Sequence, residues 1–128
     1  MIYGIGIDLI EIDRFKHWHR YSDRQLCRIF SPEEIRYCRA LPTLSAARFA
    51  TRFAAREAAY KACASICIPA RISFFQFARI SMITIDKDGA PHVTIAWDAL
   101  GLTSPTFEIS LSLTHSTTTA AAVVILHN

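Results

Sequence analysis

The chain has 128 residues, 52% of them hydrophobic and 20% charged, which excludes a disordered protein and suits one globular domain over residues 1–128. No apolar run reaches the length of a membrane span, and Asp8, Glu11 and Asp13 break the layout of a signal peptide, so a cytoplasmic protein with no membrane contact is expected. The net charge of +3 is too mild to argue for nucleic acid, yet the arginines crowd the first half of the chain, from Arg14 to Arg56, which favours an acidic protein or a polyphosphate as partner.

In chain order, Met1 to Ile10 reads as a short buried strand. Alternation puts Tyr3, Ile5 and Ile7 on one face and Ile2, Gly4, Gly6 and Asp8 on the other. The two glycines leave room for a closely approaching backbone or ligand, and Asp8 either works in that space or caps the helix that follows. That helix is predicted over 10–19, with Ile12 and Phe15 inward and Arg14 outward. Ser31-Pro32-Glu33-Glu34 is a helix start, with an N-cap serine, proline at the first position and acids in the first turn, ending near Ala40. A long central helix is predicted over 45–64, closed by Pro69.

On a wheel of about 100° per residue, Arg48, Arg52 and Arg56 form a stripe expected to face solvent. Glu57 and Lys61 fall on the opposite side, among Ala46, Ala50, Phe53, Ala54 and Ala64. They are either an ordinary i,i+4 ion pair or a functional one, since charge on a buried face needs a partner or a metal.

Beyond Pro69 the pattern changes to strands: 80–86 and 92–97 joined by a hairpin turn at Asp88-Gly89, then 107–115 with alternating polarity, then 118–127 closing the sheet. Helices first and mostly antiparallel strands later give an α+β fold, an antiparallel sheet packed against the central helix. His115 ends the apolar face of its strand and is either a structural histidine or a ligand contact, whereas His17, His19, His92 and His127 read as surface residues. Cys27, Cys38, Cys63 and Cys67 lack zinc spacing and read as reduced core thiols. There is no P-loop and no GxGxxG loop.

Three stretches together carry a resemblance. They are Gly4-Ile5-Gly6-Ile7-Asp8 with Glu11 and Arg14-Phe15, Arg52-Phe53-Ala54-Ala55-Arg56-Glu57-Ala58-Ala59-Tyr60-Lys61-Ala62, and Ser112-Leu113-Thr114-His115-Ser116. In order, spacing and total length the chain resembles the holo-[acyl-carrier-protein] synthases, the small trimeric type of 4′-phosphopantetheinyl transferase. The resemblance implies the 4′-phosphopantetheinyl transferase fold and transfer of the phosphopantetheine arm of coenzyme A to a serine of apo-acyl carrier protein in fatty acid biosynthesis, releasing adenosine 3′,5′-bisphosphate. It implies Mg²⁺ held by Asp8 and Glu57, with Asp8, Glu57 and Lys61 as the catalytic residues. Arg52, Lys61 and His115 then contact coenzyme A, and Arg14, Arg24 and Arg28 hold the acidic carrier protein. A homotrimer with sites between subunits is also implied.

Thr51 stands where the family commonly has Gly or Ala, Cys63 to Cys67 replaces a glycine-containing loop, and Ala90 removes a hairpin lysine; these departures bear on nucleotide contacts. The alternative from another class is a non-catalytic basic module binding nucleic acid or an acidic protein, which requires exposed aromatics interleaved with the arginines.

Overall fold

The computed structural model describes residues 1–67, 71–102 and 106–128. Pro69, read as a helix stop, and the side chain of Cys67, read as a core thiol, lie outside the described residues. The elements run β1 (Ile2–Glu11), α1 (Asp23–Leu26), α2 (Pro32–Arg39), α3 (Ser45–Ala62), α4 (Ala64–Cys67), α5 (Phe74–Ile80), β2 (Ser81–Ile85), β3 (Pro91–Ile95), β4 (Glu108–His115) and β5 (Thr119–His127). The architecture is α+β. Strands β1, β5 and β4 form an antiparallel sheet in that order, and β2 and β3 form a hairpin. The C-terminal strand is therefore the centre of its sheet rather than its closing edge.

Helix α3 lies across one face of this sheet, and the two glycines of β1 set how closely. A Cβ on Gly6 would stand 1.7 Å from the Ala58 carbonyl oxygen, and one on Gly4 would stand 1.8 Å from that of Ala62. Small residues on both sides let backbone meet backbone. Around this contact Phe15, Phe49, Ala54, Ala55, Phe77 and Val124 are fully buried. Ser31 caps α2 through a capping box with Glu34, satisfying two amides that the first turn leaves unpaired.

Several expectations are corrected. β1 is covered on one face only: Gly6 and Ile10 are buried, whereas Ile7 is 66% and Leu9 72% exposed, with Ile5 beside them. Asp8 is no helix cap, because β1 continues three residues past it to Glu11. In place of a helix over 10–19, two short 3₁₀ turns follow, Ile12–Phe15 and Trp18–Arg20, although Ile12 and Phe15 do point inward. Helix α5 occupies a stretch, 74–79, for which the sequence predicts no element of its own; Ser73 caps it through a box with Gln76. Cys38 is buried but Cys27 is exposed, so only part of the cysteine expectation holds.

The arginine stripe is the largest correction. Arg52 is 5% exposed and Arg56 is fully enclosed. Helix α2 covers that side of α3, and its Glu34 receives two hydrogen bonds from the Arg56 guanidinium, one of them 2.6 Å from Nη1 to Oε2. On the opposite face Ala50 and Ala54 are buried as expected, whereas Glu57 is half-buried and Lys61 is exposed. A helix packed by a sheet on one side and a second helix on another has no wholly wet stripe, and the arginines are tolerated inside because a carboxylate meets them.

Candidate active site

The close α3–β1 contact places Glu57 and Lys61 beside the strand residue that follows the glycines. Lys61 Nζ donates to the Ile7 carbonyl at 3.0 Å and to Asp8 Oδ1 at 3.1 Å. The Lys61 side chain is half exposed, whereas that of Asp8 is only 15% exposed. Glu57 completes the group. Burial raises its pKa above the ordinary carboxylate value, the Asp8 carboxylate raises it further, and the Lys61 and Arg14 charges pull it down. Two carboxylates and an amine thus share one partly open cleft. Among the described residues no group of three or more His, Cys, Asp or Glu side chains converges, so a cation held here takes two protein carboxylates at most. A soft-ligand metal does not suit that donor set, whereas a hard cation completed by water and phosphate oxygens does.

Arg52 and His115 belong to a different place. They line a groove of about 240 Å³ together with Tyr37, Arg48, Thr51 and Thr114. Sheet register puts Asp8 and His115 on the same face, Asp8 opposite Ala122 on β5 and His115 opposite Ala120. Helix α3 lies over that face, with Glu57 and Lys61 toward β1 and Arg48 and Arg52 toward α2 and β4. The Asp8–Glu57–Lys61 cleft and the Arg52–His115 groove are therefore not brought together within one chain; no hydrogen bond or ion pair among the described residues joins them. His115 Nδ1 donates to the Ser116 carbonyl at 3.0 Å, which leaves Nε2 available. The side chain is exposed, so it is not the buried structural histidine that the strand pattern allowed.

Of the arginines assigned to a carrier protein, Arg14, Arg24 and Arg28 are all exposed. Arg14 is close enough to act on Glu57, and the Arg28 guanidinium lies 4.8 Å from the centre of the exposed Phe75 ring. On α3 the basic-module alternative loses its premise, because Phe49 is fully buried and Arg52 and Arg56 are sequestered with Glu34. Sequence reasoning missed Glu34 and Tyr37 as partners of the α3 arginines. The signal was faint: a capping-box glutamate is expected to serve its own helix end, and this one also reaches a second helix.

Residues 4–124 match the family model of the 4′-phosphopantetheinyl transferase superfamily. The chain is 38% identical over 137 residues to a holo-[acyl-carrier-protein] synthase of Nitratidesulfovibrio vulgaris, covering 100% of both. Its structure is similar to that of the acyl carrier protein synthase of Mycobacterium tuberculosis, with a TM-score of 0.70 at 32% identity, covering 99% of this chain and 98% of that one. It is similar also to a holo-(acyl-carrier-protein) synthase of Bacillus anthracis solved in complex with coenzyme A (3′,5′-ADP), with a TM-score of 0.70 at 30% identity, covering 98% of this chain and 96% of that one.

Proposed function

The chain belongs to the 4′-phosphopantetheinyl transferase superfamily, and from that premise we propose that its 128 residues act as one domain that moves the phosphopantetheine arm of coenzyme A onto a serine of apo-acyl carrier protein. The observation that carries the reading is the Asp8–Glu57–Lys61 cleft, where unlike charges meet at the helix–strand contact. In the reaction the serine hydroxyl oxygen attacks the β-phosphorus of coenzyme A as its O–H bond breaks, and the proton is released to solvent. The new O–P bond forms as the bond to the bridging oxygen breaks, and adenosine 3′,5′-bisphosphate leaves with that electron pair. Such a transfer asks the protein mainly for positioning and for neutralisation of charge on phosphate oxygens.

Asp8 and Glu57 are the residues that would hold Mg²⁺, which when bound supplies positive charge to the pyrophosphate. Lys61, anchored on Asp8 and on the Ile7 carbonyl, offers its remaining N–H to a phosphate oxygen. Arg52 and His115 hold the nucleotide, and Arg14, Arg24 and Arg28 offer exposed positive charge to an acidic carrier. The two groups of residues lie on different sides of α3, and the outer face of β1 is apolar. Both features support a homotrimer in which the cleft of one subunit meets the groove of another. The thiols of Cys27 and Cys38 and the coenzyme A substrate suit the cytoplasm and a place in fatty acid biosynthesis.

The test is incubation with coenzyme A, Mg²⁺ and apo-acyl carrier protein, followed by mass measurement of the carrier. The expected result is addition of one phosphopantetheine to the carrier serine, abolished by excess chelator. An unchanged carrier in the presence of Mg²⁺ overturns the transferase reading, and modification that persists in chelator overturns the metal assignment.

A further inference from the structure

Tyr37 of α2 has no part in the reaction outlined above, yet two arginines of α3 converge on it. The Arg48 guanidinium carbon lies 3.9 Å from the centre of its ring and that of Arg52 lies 4.2 Å from it. Arg48 is pinned a second time, by a 2.7 Å hydrogen bond from Nη1 to the Tyr37 carbonyl. Arg52 is held more loosely. Its Nε is buried without a hydrogen-bond partner among the described residues, and Glu34 Oε2 is 3.9 Å away. Glu34 already accepts two hydrogen bonds from Arg56, so two guanidiniums share a single carboxylate. Cys38 adds no negative charge to this cluster, because burial pushes its thiol up to about 12. Excess positive charge taken out of water calls for an anion.

Among the described residues, two cavities that border Tyr37 differ in their linings, which decide where that anion sits. One, of about 640 Å³, carries Glu33, Glu34 and Asp86 beside Arg52 and repels anions. The other is the groove of Arg48, Thr51, Arg52, Thr114 and His115, which no acidic side chain among the described residues lines. We infer that Tyr37 is a positioning residue for substrate: its ring holds the Arg48 and Arg52 guanidiniums at the wall of this groove so that both present positive charge to a phosphate of the nucleotide. The identity of that nucleotide as coenzyme A rests on the transferase reading; the ring-and-arginine clamp does not.

Tyr37→Leu removes the ring and keeps the carbonyl that Arg48 uses. Tyr37 is 42% exposed, so the change leaves the core intact. Two cation–π contacts are lost, so KM for coenzyme A should rise about tenfold, while kcat and KM for the carrier stay within about twofold. Tyr37→Phe keeps the ring and should restore the wild-type KM. In an Arg48→Ala background Tyr37→Leu should cost less than it does alone, because part of its effect runs through Arg48.

A second measurement separates this inference from the transferase reading: the Kd of adenosine 3′,5′-bisphosphate, by calorimetry, for wild type, Tyr37→Leu and a further variant, Tyr37→Gln. Weaker nucleotide binding by both variants supports the clamp even where the wild type transfers nothing, a result that sinks only the transferase reading. Normal nucleotide affinity in a folded Tyr37→Leu or Tyr37→Gln protein overturns the clamp. So does an equal rise in both KM values, or a Tyr37→Phe protein as impaired as Tyr37→Leu.

Discussion

Glu57 has neighbours that pull its proton in opposite directions. Burial and then the Asp8 carboxylate favour the protonated form, and Lys61 and Arg14 favour the ionised one; the balance is upward from 4.5. A carboxyl whose pKa rises on folding stabilises the protein below its ordinary value, and that contribution is lost as pH climbs through the raised one. In excess chelator, Glu57→Gln should therefore melt above the wild type at neutral pH, and the gap should close as the buffer is taken below 4.5. A gap that is absent at neutral pH, or that widens in acid, contradicts this account when thermal unfolding is followed against pH. Glu34 behaves oppositely. Buried and bound to Arg56, it leaves two uncompensated guanidiniums if removed, and Glu34→Ala should cost about 3–5 kcal/mol in urea unfolding. The sequence told these two glutamates apart poorly. Glu57 stood out on its wheel as a charge among alanines, whereas Glu34 looked like an ordinary capping-box acid, and its distant partner Arg56 looked solvated.

At the level of elements, the α3–β1 contact is as tight as backbone allows. Gly6→Ala would thrust a methyl into the Ala58 carbonyl, which cannot swing aside because it belongs to the helix ladder. Overpacking of this kind should cost about 3 kcal/mol or more, read from the denaturation midpoint, and should lift Glu57 and Lys61 away from Asp8. A midpoint that does not move means the helix and strand are further apart than the structure has them. Where local chemistry decides an element, the chain could be read: Ser31-Pro32 starts α2, and Gly89, at a φ of 85°, turns the β2–β3 hairpin. Where tertiary contacts decide, it could not. Ile10 extends β1 because β5 offers Ala120 as a pairing partner, so a helix over 10–19 never forms. The Ser73–Gln76 box of α5 is a local signal of the same kind, set in an aromatic run that suits a strand equally well.

Across the whole molecule, the uncovered row Ile5, Ile7 and Leu9 is the feature least suited to a lone chain. Each pairs across the strands with an apolar residue of β5, respectively Ile125, Val123 and Ala121, so the patch extends over two strands. An apolar sheet face of this kind marks an interaction surface. Light scattering should give the mass of a trimer, and Ile7→Glu should give a monomer with native circular dichroism but little transferase activity. A monomeric wild type with full activity would remove the need for a second subunit. Alternation predicted the two faces of β1, and its glycines the close backbone approach that α3 makes, but not that the opposite face of a strand read as buried is left uncovered.

The division of Asp8 and His115 by α3 has a genetic consequence. If each reaction centre takes its Asp8 from one subunit and its His115 from the next, two dead proteins can rescue each other. Asp8→Asn and His115→Ala chains, each inactive alone, should regain activity when unfolded together and reassembled. With equal amounts and random assortment, a centre has an intact Asp8 half the time and an intact His115 half the time, so about a quarter of wild-type activity should return. Were both residues to serve a centre inside one chain, the mixture would stay dead in every proportion.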